Sequence, residues 1–283
     1  MRDRKRPGFP SASTAFVTHE SCSDEADDPA GAPSLAGGVG GDDGVTPLVP
    51  HEDAEGLDYW SISRTPLTSL VFTLPLVLAY EGGVLLLGRG SPRNGADVWL
   101  RQLLDSLGFG EYFLLPVLTV VGLLAWHHVA HDRWRCSAGV LVGMTLESLF
   151  WAGILVGLAR LQEGLWPLAA GPLADGPLQR LVGYCGAGLY EEVLFRLVLL
   201  PALVWAAARL GMSAVSAAVV GLVASSVLFS LAHYVGPLGD HFDWYGFTFR
   251  TMAGLFFAAL FLVRGFGIAA GAHAAYDLFV GLL

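Results

Sequence analysis

The chain has 283 residues, of which 54% are hydrophobic and only 14% charged, with a mean hydropathy of +0.56. That balance excludes an ordinary soluble domain of this length and points to a chain that crosses a membrane several times. The formal net charge of −9 is concentrated in residues 1–58, where twelve acids face four bases; the remainder carries thirteen acids against twelve bases. No basic stripe suited to nucleic acid is present, so nucleic acid is not an expected partner.

Residues 1–58 are rich in Ser, Gly, Pro, Asp and Ala and lack sustained apolar periodicity, the composition of a disordered acidic tail. The opening MRDRKR is basic, but no apolar core follows it, so it does not read as a secretory signal. The ordered part, 59–283, is expected to begin at Tyr59 and Trp60, which suit a membrane interface. Apolar spans follow at Leu67–Leu87, Tyr112–Trp126, Ala138–Leu158, Leu181–Ala208, Ala214–Tyr234, Phe247–Val263 and Gly267–Leu283. At about 20 residues per crossing they predict an all-α, polytopic transmembrane bundle of about seven helices. The amphipathic stretch ADVWLRQLLDSLGFG (96–110) is expected to lie along the interface. The Gly- and Pro-rich segment Gly164–Pro177 reads as a surface loop. Arginines are nearly balanced between the two sides; the early bases, and their lack in VGPLGDHFD (235–243), favour an inward amino terminus. Lys5 is the only lysine beside fifteen arginines, a usage that points to a GC-rich bacterial genome and hence to a bacterial inner membrane.

Polar residues inside these spans carry the chemistry. Each ionisable group at the centre of a membrane helix costs roughly 2.5–3.5 kcal/mol on insertion scales, so groups kept there have a use. In GLYEEVLFRLVLLP, Glu192 and Arg196 stand i,i+4 and are expected to form an ion pair. Glu191 sits about 100° around the axis, free to face a cavity as a general acid or base. VLFSLAHY places Phe229 one turn before His233, where it can pack beneath the imidazole. GAHAAYDLF sets His273 and Asp277 on one face, where the carboxylate can orient the ring and fix its tautomer.

Other polar groups read more simply. WHHVAHDRWRC groups His127, His128, His131 and Cys136 at a membrane edge, read as interfacial anchoring before metal binding. Glu81 and Glu147 either line the same wet cavity or are protonated and hydrogen-bonded. Cys22, Cys136 and Cys185 have no zinc-clasp or disulfide spacing, and no HExxH occurs.

Taken in order, EEVLFR, FSLAH and HAAYD resemble the CAAX-protease and bacteriocin-processing (CPBP) family of intramembrane endopeptidases. That family carries EExxxR, FxxxH and HxxxN or HxxxD on separate transmembrane helices. The resemblance covers residues 183–283 and implies a glutamic-type peptidase. Glu191 and His233 would activate water, with Glu192, Arg196 and Phe229 in support, and His273 with Asp277 would stabilise the oxyanion. It further implies membrane lipid as surroundings and a membrane-anchored protein or peptide as substrate, with a carboxy-terminal sorting signal if the chain is myxosortase-like. No cofactor is expected; a zinc ion on Glu191, His233 and His273 is the less favoured alternative, because Arg196 lies close by and a compact histidine pair is lacking. Two other functions stay open: a non-catalytic peptide-binding or bacteriocin-immunity protein, and a proton-coupled transporter.

Overall fold

The computed structural model describes residues 58–88, 93–110, 112–165, 176–236 and 239–282. The expected acidic tail, Asp58 apart, and most of the expected loop at 164–177 lie outside the described residues. Among the described residues the chain is all helix without a strand.

A short α1 (Tyr59–Ser63) leads into α2 (Pro66–Leu87), which starts with Pro66 in its first turn and Thr65 capping Thr68 N–H. This Thr-Pro start suits a helix, because Pro lacks the amide that the first turn leaves unpaired. The amphipathic stretch forms α3 (Gly95–Ser106), capped by Asn94. Its Ala96, Asp97 and Leu100 are buried, whereas Leu103 is exposed, as is Leu107 just beyond its end. Then come α4 (Leu114–Val129) and α5 (Ala138–Leu165). The segment from Pro177 to Arg209 is α6 (Pro177–Gly186), two π-helical stretches (Ala187–Glu191 and Val193–Leu199) and α7 (Leu200–Arg209). Capped by Ser213, α8 runs Ala214–Ala232; capped by Asp243, α9 runs Trp244–Arg264. Gly265, at φ 85°, turns the chain sharply into α10 (Phe266–Leu282).

Each of the seven expected spans coincides with a helical segment. By length and composition, however, among the described residues only α2, α5, α8 and α9 are long and apolar enough to cross a membrane, with α4 a shorter apolar helix. The segment 177–209 is divided into helical pieces of ten residues or fewer and α10 has 17 residues, which explains the difference.

At the centre of the bundle lies α10, packed on α5, α2, α9, α6 and the first π stretch. Small residues make this contact close: Ala269, Ala270 and Ala272 are fully buried, beside the larger Ile268. Large apolar side chains instead cover the outside of α4, α5 and α8, among them Val117, Val121, Leu146, Phe150, Val215 and Val219. With polar groups inside and apolar ones outside, the arrangement suits a bilayer. Glu147 joins three helices by accepting from Arg264 at 2.5 and 2.8 Å, from Tyr59 at 2.6 Å and from Trp151 at 3.2 Å. Burial and this carboxylate push the Tyr59 phenol up to about 12, so it remains a neutral donor.

Candidate active site

The site begins with the π-helical stretches. A π turn widens the helix and rotates the following residues away from their α-helical register. Gly188 then lets the segment approach α10: a Cβ here would lie 2.6 Å from Ala274 Cβ and 2.8 Å from the Ala270 carbonyl. The result is a buried charge cluster. Arg196 Nη1 lies 3.0 Å from Glu192 Oε1, as the i,i+4 spacing predicts. Its Nη2 donates to the Gly254 carbonyl at 3.3 Å. The guanidinium also sits over the rings of Phe229 and Phe257, 4.6 and 5.6 Å from their centroids.

Glu192 has a second partner that the sequence does not reveal. Its Oε1 is 2.8 Å from His273 Nδ1, whereas Asp277 Oδ2 is 3.9 Å from His273 Nε2, beyond hydrogen-bond distance. The expectation that Asp277 orients the ring by a direct bond is therefore corrected: Glu192 holds it. The imidazole stacks on Phe257 at 4.5 Å and 14°, which fixes its plane. Its Nε2 stands 3.8 Å from Glu191 Oε2, between that carboxylate and Asp277.

His233 caps α8, and its Nδ1 lies 2.9 Å from the Phe229 carbonyl. A carbonyl can only accept, so Nδ1 carries the proton and Nε2 is left as the acceptor. Phe229 meets this ring edge-on, at 5.1 Å and 67°, and does not lie beneath it as expected. Two cavities border His233. One, of about 500 Å³, is also lined by Asn94, Glu191, Phe195 and Asp240. The other, of about 420 Å³, is lined by His273, Asp277, Phe257 and Tyr276. Glu191 thus faces a cavity, as its helical position predicts, while accepting from Asn94 Nδ2 at 2.8 Å.

Sequence reasoning missed Asn94 and Phe257, which lie far from the motifs along the chain and carry no signal of their own. Of the two readings open for Glu81 and Glu147, the structure shows them hydrogen-bonded and away from the site. Glu81 pairs with Arg101 at 2.9 Å and accepts from Tyr190 at 2.6 Å; Glu147 pairs with Arg264. Neither lines the cavities around His233, and each has a guanidinium partner. The anchoring reading for His127 is corrected as well, because this ring is fully buried and meets Trp134 edge-on at 4.6 Å. His128 and His131 are exposed. Among the described residues, no group of three or more His, Cys, Asp or Glu side chains is placed to hold a metal ion.

Residues 174–279 match the family model described as "Type II CAAX prenyl endopeptidase Rce1-like". This region carries an Rce1-like domain. The matched segment contains the π-helical stretches, α8, α9 and most of α10, and so every motif residue from Glu191 to Asp277. The Rce1-like region supports a peptide-bond hydrolase of the CAAX-protease type in a membrane protein. Comparison with curated proteins and with solved structures gives no match.

Proposed function

We propose that the chain is an intramembrane endopeptidase of glutamic type, acting on a membrane-anchored protein or peptide at a bond close to or within a bacterial inner membrane. The observation that carries this reading is the convergence of Glu191, His233, His273 and Asp277, from three separate helices, around two cavities that share His233.

In this reading Glu191 and the unprotonated Nε2 of His233 accept a proton from a water between them, which attacks the scissile carbonyl. The proton then passes to the leaving amine. His273, held by Glu192 as an imidazolium, donates Nε2–H to the developing oxyanion. Asp277 acts through His273 or, when neutral, donates its own O–H. Arg196 offsets the charge of Glu192, so that a carboxylate persists in a buried place. The chemistry is metal-free, since Glu191 and His273 each have a protein partner and Arg196 places positive charge beside the cluster.

The test is cleavage by the purified full chain in proteoliposomes. Two quenched-fluorescent probes are used: a prenylated CAAX peptide, and a membrane-anchored peptide ending in a short motif, an apolar helix and an Arg cluster. Cutting of either by wild type and by neither E191Q nor H233A supports the proposal. E191Q turning over at the wild-type rate removes Glu191 from the mechanism, and a wild type inert toward both probes counts against these two substrate classes.

A further inference from the structure

Asn94 sits outside the matched region, just before α3, yet it is the residue that touches Glu191 most closely among the hydrogen bonds described above. Three of its atoms are occupied. Its backbone N–H donates to the Tyr80 hydroxyl at 3.2 Å, and that hydroxyl donates to Asp97 at 2.8 Å. Its Oδ1 accepts from Ala96 N–H at 2.9 Å and so caps α3. Its Nδ2 donates to Glu191 Oε1 at 2.8 Å. The capped amide decides the orientation of the side chain: an N–H can be answered only by an oxygen, so the NH₂ must face the carboxylate.

The base of this arrangement is rigid. Asp97 is fully buried and clamped by Arg93 at 2.6 Å and by Arg101 at 2.5 Å. Arg101 continues to Glu81, which accepts from Tyr190, the residue immediately before Glu191. The side chains of Tyr190 and Glu191 are thus both tied to the amphipathic helix, Tyr190 through Glu81 and Arg101 and Glu191 through Asn94. The consequence for Glu191 is a division between its two oxygens. Oε1 is held by an amide donor, while Oε2 is directed toward His273 Nε2 at 3.8 Å. Asn94 and Glu191 line the cavity that His233 also borders.

We infer that Asn94 is a positioning residue for Glu191, anchoring Oε1 from the start of the interfacial helix α3 so that Oε2 is the oxygen presented to water. This rests on the proposed role of Glu191 as the base. An amide donor also keeps Oε1 from turning into the cavity without removing the negative charge that the chemistry needs.

N94D separates this role from helix capping. Aspartate caps a helix as well as asparagine, but it places an acceptor where Glu191 needs a donor. In E191Q the polarity of the contact reverses, so N94D/E191Q can restore a hydrogen bond. Thermal melting of the full chain in detergent is expected to show N94D below wild type and N94D/E191Q recovered relative to N94D. Melting of N94D/E191Q no higher than N94D overturns the contact, whether or not either probe is cut. On a probe that wild type cuts, N94D is expected to lose on the order of 10- to 100-fold in kcat through misplacement of the base, with KM within about twofold because substrate contacts are untouched. N94D with wild-type kcat beside an inactive E191Q overturns the positioning role alone. An active E191Q instead overturns the role of Glu191, and the inference falls with it. N94S, which keeps a capping oxygen and adds no charge, should lose kcat in the same direction; full activity in N94S overturns the inference even if N94D does not fold.

Discussion

Glu192 Oε1 stands 2.8 Å from Nδ1 of His273, a contact made inside the bundle between the π-helical region and α10. The same oxygen is 3.0 Å from Arg196 Nη1. The second glutamate of the EExxxR motif therefore links a guanidinium on its own helix to an imidazole on another. Charge balance and ring orientation at the proposed oxyanion site depend on one side chain.

Removing that side chain has two separable effects. E192A leaves the Arg196 guanidinium without its carboxylate, and loss of one partner of a buried pair costs about 3–5 kcal/mol. E192Q keeps an oxygen toward Nδ1 but not the charge, so it should fold better than E192A and still lose activity. Thermal melting in detergent beside cleavage rates distinguishes the two; equal melting of wild type and E192A contradicts the assignment of the pair.

E191Q and H233A should each lower cleavage by roughly 10²–10⁴-fold, the usual contribution of a general base, with melting close to wild type. Neither side chain is the buried partner of an arginine, so neither is needed to balance charge. Loss of folding in both would show that the cavity they line is structural.

Gly188 lets the π-helical segment lie against α10. G188A must push Ala274 or the Ala270 carbonyl aside, since its Cβ would come within 2.6 Å and 2.8 Å of them. Overpacking of this kind costs about 1–3 kcal/mol and should also separate Glu192 from His273. The expected result is a lowered melting temperature together with lost cleavage. A variant with wild-type values for both would mean that the helices move apart freely.

The Glu147–Arg264 pair tests the opposite expectation, a buried charge network with no chemical role. R264A should destabilise by about 3–5 kcal/mol through the unpaired Glu147. Y59F, which removes a single hydrogen bond to the same carboxylate, should cost about 1 kcal/mol. Turnover per folded molecule should be unchanged in Y59F, and a specific loss of kcat there would tie this network to catalysis.

Prolonged treatment with phenanthroline and EDTA should leave cleavage intact. Inactivation by chelators, reversed by stoichiometric zinc or cobalt, would convert Glu191 and the two histidines from acid–base groups into ligands and require the helices to draw closer around the ion.

The membrane character, the helices and the motif residues were legible in the sequence, because hydropathy and the cost of burying charge act locally along the chain. Glu192–Arg196 could be read from spacing alone, both partners lying on one helical segment. Spacing also placed Glu191 apart from that pair and toward a cavity. What it could not supply is who meets whom between helices. A single α-helical period assigns Asp277 to His273, but the π-helical stretches rotate the register and Gly188 brings them against α10, so Glu192 takes that place. In the same way Glu81 and Glu147, apparently isolated in their spans, find Arg101 and Arg264 from distant segments. Asn94 reaches Glu191 only because Asp97, clamped by two arginines, fixes the start of α3. Local composition determined which groups the helices carry into the apolar spans; the packing of the helices, closest at the alanines of α10, decided which of them touch.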